Sequence, residues 1–139
     1  MALSEKDLRI GNLVSQNSSY GYVYSIESPL PRKEKRFSDK VVITLFDNGI
    51  ISIPIDEITP IQLTEEWLLK FRFVKDDFCS LYIRYTLNNI TIIHDTKNNT
   101  FLADGIKYKL VYLKYVHQLQ NLYFALTNEE LEVNYPPTA

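Results

Sequence analysis

Residues 115–126 form the longest stretch of this chain written in helical period. Tyr115, Leu119, Leu122, Tyr123 and Leu126 recur at spacings of three and four, which puts them on one side of a helix. Most of the chain before them alternates with period two, in short runs cut by turn pairs. Many short strands and one strongly amphipathic helix have a simple packing solution: the apolar stripe lies over a sheet. The same period leaves a second face, His117, Gln120, Asn121 and Phe124. That face is either covered by the rest of the fold or a protein-binding surface anchored by Phe124.

The strands can be placed by their punctuation. Leu13 to Gln16 reads as a strand, and the Asn17-Ser18-Ser19 cluster as a turn. Residues 20–27 alternate, with Tyr22, Tyr24 and Ile26 opposite Val23 and Ser25. Pro29 and Pro31 interrupt the alternation, and residues 41–46 resume as a β-branched strand. Asp47-Asn48-Gly49 is the strongest hairpin signal, because Asn-Gly supplies positive φ at little cost. Residues 50–53 return, Pro54 marks an edge strand, and Asp56-Glu57-Ile58 suits one helical turn. At the other end of this region, Ser4 caps a short expected helix with Leu3 stapled to Leu8. About four short strands in 62 residues suit an SH3-like small β-barrel of the Tudor or KOW kind.

From Leu63 the pattern changes. Thr64 is placed to cap a helix, Glu65 and Glu66 suit its positive end, and Trp67, Leu68 and Phe71 share one side. Asp76-Asp77 reads as a turn. Strands are expected over 80–86, 90–94 and 100–103, with turns at Asn88-Asn89 and Lys97-Asn98-Asn99. Asp104-Gly105 has the composition of a further hairpin turn, with 106–112 as its returning strand. After the long helix, Thr127 to Glu130 has the form of a capping box for one more turn. The expected fold is therefore α+β. An SH3-like barrel over 1–62 precedes a helix, β-meander, helix unit over 63–133, and 134–139 is a flexible tail.

The chain has 139 residues, enough for one domain or two very small ones. A net charge of −2 gives no global attraction to nucleic acid. Ten Tyr and seven Phe against four Gly favour strands and supply large faces for a core or an interface. The single cysteine, Cys79, has no disulfide partner within the chain, residues 1–7 lack the apolar stretch of a signal peptide, and no membrane span is expected. The expected location is the cytoplasm.

Residues that could carry chemistry are few. His94 stands beside Asp95 at a strand end, and His117 lies on the helix as a solvated position. No motif of known mechanics surrounds either, and their spacing does not suit zinc. The acidic pairs Glu65-Glu66, Asp76-Asp77 and Glu129-Glu130 are explained by helix starts and a turn. The expectation is no catalytic residue, no metal and no cofactor. The most basic segment contains Arg32, Lys33, Lys35 and Arg36. With Tyr22 nearby for stacking, it is a nucleic-acid candidate; the alternative is a solvated loop.

Three motifs carry a resemblance: Leu-Arg-Ile-Gly-Asn-Leu-Val from Leu8; Leu-Thr-Glu-Glu-Trp-Leu-Leu-Lys-Phe from Leu63; and Lys-Tyr-Val-His-Gln-Leu-Gln-Asn-Leu-Tyr-Phe-Ala-Leu-Thr from Lys114. Together they resemble a small-protein family of the Bacteroidetes, their prophages and gut phages. The family tends to have glycine where Arg72 and Asn128 stand here, which implies tighter turns after both helices in its other members. The resemblance implies a mobile element in a bacterial cytoplasm and supplies no activity. Small phage proteins of this kind often bind a host machine. The expected partner is a host protein or ribonucleoprotein, and the setting suggests an anti-CRISPR role against an RNA-targeting type VI-B nuclease. The alternative is an RNA- or DNA-binding module.

Overall fold

A computed structural model describes residues 8–16, 19–27, 40–45, 49–76, 81–106 and 109–132. The chain divides into two compact units, Met1–Ile61 and Gln62–Ala139. The expected helix at Ser4, the basic loop with Arg32, Lys33, Lys35 and Arg36, Cys79 and the tail lie outside the described residues.

The first unit is a four-stranded antiparallel meander of β1 (Leu13–Gln16), β2 (Ser19–Glu27), β3 (Lys40–Leu45) and β4 (Gly49–Pro54), paired in chain order. Gly49 closes the β3–β4 hairpin with φ 76°, the conformation its Asn-Gly signal demands. Pro54 ends the edge strand β4, where its missing N–H costs least. A single 3-10 turn, Ile55–Glu57, comes next. The chain then passes Thr59 back along β1, where Ser15 and Thr59 exchange both backbone hydrogen bonds at 2.9 and 2.8 Å. This bridge does not extend into a ladder, and no closed barrel is seen among the described residues.

The core of this unit is aliphatic: Leu8, Val14, Val23, Ile55 and Ile58, with Ile51 and Ile53 packed against it. The residues preceding β1 dock by backbone bonds, Gly11 N–H to the Val23 carbonyl and Val23 N–H to the Asn12 carbonyl, both 2.8 Å. The pairing of β2 with β3 shifts between Val23 and Ser25. Tyr24 is the residue left over, and it is exposed.

The second unit is a five-stranded antiparallel meander. Its strands are β5 (Val74–Asp76), β6 (Tyr82–Leu87), β7 (Ile90–Asp95), β8 (Thr100–Ile106) and β9 (Lys109–Leu113), in that order. Helix α1 (Glu65–Lys70) precedes the sheet and α2 (Val116–Thr127) comes after it. By register, Tyr85, Ile90, Ile92, Phe101, Ala103 and Leu113 share one face of the sheet, and all are buried. Lys75 lies on that face opposite Tyr85 and pairs with Glu65 of α1 at 2.6 Å. Asn88, in the β6–β7 turn, donates to the Tyr123 hydroxyl of α2 at 2.7 Å. Trp67, Leu68, Phe71 and Phe73 complete a core built largely of aromatic rings.

Several expectations need correction. Asp76 is not a turn residue but the last residue of β5, a three-residue edge strand too short to show a period. Asp104-Gly105 does not turn the chain. β8 runs through it with a register shift between Asp104 and Ile106, so this pair forms an irregularity inside a strand, a usual place for glycine. Ile106 pairs with Lys109 at the ends of β8 and β9 instead. No helical turn succeeds α2 among the described residues: Asn128 ends the helix at φ 60°, and Thr127 Oγ1 accepts from Glu129 N at 3.1 Å.

Candidate functional site

The long helix is rotated relative to the expected stripe. Its buried residues are Val116, His117, Leu119, Gln120 and Tyr123. Leu126, expected inside, is exposed, and Leu122 is half-buried. His117 at 3% exposure and Gln120 at 1% are therefore not available to a partner, and His117 is not a solvated position. Asn121 and Phe124 are half-buried at the margin of the same side. Two contacts fix this rotation. Gln118 Oε1 accepts from the backbone N–H of Lys114 and of Tyr115, at 2.8 and 3.0 Å, pinning the first turn. The Asn88 to Tyr123 bond pins the third. The protein-binding face anchored on Phe124 is thus largely dismantled by burial.

A different surface takes its place. The pleat that buries one face of the second sheet leaves the other outward. Across all five strands a single row of neighbours runs Asp76, Arg84, Ile93, Leu102 and Tyr112. Val74 and Tyr82 stand on the same face in adjacent rows. Tyr112 is 71% exposed, Val74 68% and Tyr82 43%, while Ile93 and Leu102 are half-buried. Arg84 pairs with Asp76 at 3.3 Å, so its charge is balanced within the row. The outward face therefore carries an apolar and aromatic strip with a neutral ion pair at one end. Isolated exposed apolar residues are ordinary, but a cross-strand strip of them is the mark of an interaction surface.

The second unit also holds a cavity of about 400 Å³. Its lining comes from the segment before α1, the β7–β8 turn and the end of β9. Leu63 N–H donates to the Lys114 carbonyl at 2.9 Å, and Gln62 bridges Tyr115, which brings the approaches to both helices together. One wall is a stacked pair, His94 on Phe101, with centroids 4.3 Å apart and planes 7° from parallel. Their register explains the stack, since the two are directly opposite in β7 and β8. His94 Nε2 lies 3.0 Å from Asn99 Oδ1, and donates to it in the tautomer protonated at Nε2. Glu65, also on the lining, is held below the usual carboxylate range chiefly by its hydrogen bond to Lys75. Burial opposes this, and the Lys75 charge, Tyr85 and His94 add to it.

His94 and Asp95 do not form a catalytic pair. Successive residues of a strand point to opposite faces. The Asp95 carboxylate turns instead to the adjoining turn, accepting from Lys97 N at 3.0 Å and from Asn98 N and Nδ2 at 3.3 and 2.8 Å. These contacts, the Asn98 side chain first, hold its carboxyl below the usual range. Among the nucleic-acid candidates, only Tyr22 lies within the described residues. It is half-buried, and burial raises its hydroxyl pKa. Tyr24, displaced by the irregularity in β2, is the exposed tyrosine of that strand. Among the described residues there is no cluster of three metal-ligating side chains and no helix long and apolar enough to cross a membrane.

Comparison with protein-family models, with curated proteins and with solved structures gave no match to this chain.

Proposed function

We propose that this protein is a non-catalytic accessory factor of a phage or mobile element that binds a host protein or ribonucleoprotein through the outward face of its second sheet. The observation that carries the reading is the strip of Tyr82, Ile93, Leu102 and Tyr112 on one side of β6 to β9. Tyrosines at the rim of such a strip bury much area at low entropic cost, which is why they recur as interface anchors. With Arg84 balanced by Asp76, the row carries no net positive charge and Asp95 lies on the same face, which weighs against a phosphate backbone and toward a protein surface. Inhibition of a host defence nuclease of the type VI-B class is the specific form that the resemblance of the three motifs suggests.

The test is affinity capture from a Bacteroidetes host with the native chain and with a Tyr82→Ala, Leu102→Asp, Tyr112→Ala variant. The same partner should be recovered with the native chain at moderate salt and lost with the variant. Equal recovery by both removes the sheet face from the account. Partners released by nuclease treatment and by rising salt transfer the reading to nucleic acid.

A narrower reading attaches to the first unit. Its four-stranded meander, the 3-10 turn after β4 and the return of Thr59 to β1 are compatible with an SH3-like barrel, a scaffold compatible with nucleic-acid binding. Exposed Tyr24 would be its stacking residue. RNA binding that persists in the sheet-face variant and falls in Tyr24→Ala selects this reading.

A further inference from the structure

The cavity in the second unit has features that neither helix packing nor the outward sheet face requires. We propose that it binds a small planar ring bearing an oxyanion, the chemistry of a mononucleotide, with the ring near the His94–Phe101 wall and the oxyanion near Lys114.

Three observations carry this. The volume of about 400 Å³ falls within the range of small-ligand pockets, roughly 300–1,000 Å³, and exceeds what one side chain needs. The wall is aromatic: His94 stacks on Phe101 at 4.3 Å, which leaves only the outer faces of the pair for a ligand, and Tyr112 lines the same space. Such surfaces hold planar rings by stacking, worth about 1–3 kcal/mol per base in nucleic-acid sites.

The third observation is the excess of uncommitted polar groups. Thr64 occupies the N-cap of α1, yet its hydroxyl makes no capping bond. The side chains of Gln62 and Thr100 make no hydrogen bond among the described residues. Asn99 is engaged through Oδ1, which leaves its amide N–H groups available. The Lys114 ammonium lies 5.4 Å over the Tyr115 ring and has no carboxylate partner among the described residues. Most of these groups can donate. Glu65 is the single carboxylate among the lining residues, and Lys75 already neutralises it at 2.6 Å. Lys114 is the one positively charged side chain of the lining, and an oxyanion is the partner that suits it.

The cavity borders the proposed protein-binding face at Thr100 and Tyr112, whereas Tyr82 and Leu102 are not on its lining. The test is a heteronuclear NMR titration of the full chain with AMP and with UMP. Adenosine and inorganic phosphate serve as half-ligands, and a 5′-phosphorylated oligonucleotide tests whether the same chemistry comes from a strand end. Either nucleotide should give saturable shifts centred on residues 62–65, 94–101 and 112–114, and each half-ligand should bind more weakly. Lys114→Met should weaken nucleotide binding by roughly tenfold or more, the loss of one charge-assisted contact, and leave adenosine unchanged. Thr64→Val should weaken it by a smaller factor, with the thermal transition intact. Tyr82→Ala should have no effect. Preference for the phosphorylated oligonucleotide over free nucleotide supports the ring and oxyanion chemistry and names its source. Absence of saturable shifts from every one of these probes at several times about 1 mM, the weak limit of specific binding, overturns the proposal. So does adenosine binding as tightly as AMP, or nucleotide binding unchanged in Lys114→Met.

Discussion

The two units are both antiparallel meanders, yet they solve the problem of the buried face differently. The first covers its small core with its own strands, the 3-10 turn and the residues before β1. Its buried apolar side chains among the described residues are Leu, Val and Ile, and the backbone bonds at Gly11, Asn12 and Ser15 do much of the docking. The second hands one whole face to two helices and fills the space between with rings: Trp67, Phe71, Phe73, Tyr85, Phe101 and Tyr123. Once one face is fully served by helices, the other is not needed for stability. Each unit therefore has surface to spare in a different place. Among the described residues, in the first it is scattered over Ile10, Tyr24 and Ile50, and in the second it is a row across five strands.

The contrast is tested most severely by damaging one core and watching both units. Leu68 and Phe71 are fully buried, so Leu68→Ala should cost about 2–5 kcal/mol and Phe71→Ala about 3–5. The single tryptophan, Trp67, is buried beside them and reports the second unit alone by fluorescence. Denaturant curves followed by fluorescence should shift strongly. Amide exchange in β2 and β3 should stay near native if the units unfold separately, and loss of protection in both would show that they unfold as one. The converse substitution is Val23→Ala in the first core. It should cost about 1.5–3 kcal/mol, lower the protection of β1 to β3 and leave the Trp67 transition in place.

A gain of stability probes the same contrast from the other side. Arg72 comes after α1 with φ 71°, a left-handed backbone that costs a side-chain-bearing residue roughly 1–2 kcal/mol relative to glycine. Part of that is offset by glycine's freer unfolded state. Arg72→Gly should therefore raise the Trp67 transition by up to about 1 kcal/mol. No change would mean that Arg72 gains compensating contacts. The smallest effect is on acid stability. Lys75 depresses the Glu65 pKa in the folded state, so its contribution is present above the ordinary carboxylate pKa. It is lost as pH falls through the depressed folded value. Glu65→Gln should flatten the acid limb of the second unit's melting profile slightly, since the pair is partly exposed.

Much of the architecture is legible in the sequence because strands and turns announce themselves locally. The Asn88-Asn89 turn has φ of 47° and 68°, values that asparagine tolerates better than most residues, and it reads as a turn without any tertiary information. The misses share a physical cause, which is competition from outside the segment. Asp104-Gly105 fits a hairpin and equally fits an irregularity inside a strand; only the register of β8 against β9 decides. Leu122 and Leu126 outrank His117 and Gln120 in hydrophobicity, but the Asn88 and Gln118 hydrogen bonds turn the helix toward the polar pair. Hydrophobicity alone therefore assigns the Phe124 face to the wrong side of α2. The outward strip can be found from alternation, by asking which residues stand opposite Tyr85 and Ile92. The cavity cannot, because its walls come from three segments far apart in sequence.

The bridge between Gln62 and Tyr115 bears on how the second unit is assembled. Helix α1 and the entire β5 to β9 meander lie between two residues that end as hydrogen-bonded neighbours. Each hairpin in between can zip from its own turn, and every zipped strand shortens the effective loop that remains to be closed. The segment is topologically a pocketed insert with its ends stitched together. Because α2 follows directly after the seam and its Tyr123 closes on Asn88, such a segment could be moved to another chain only with that helix attached.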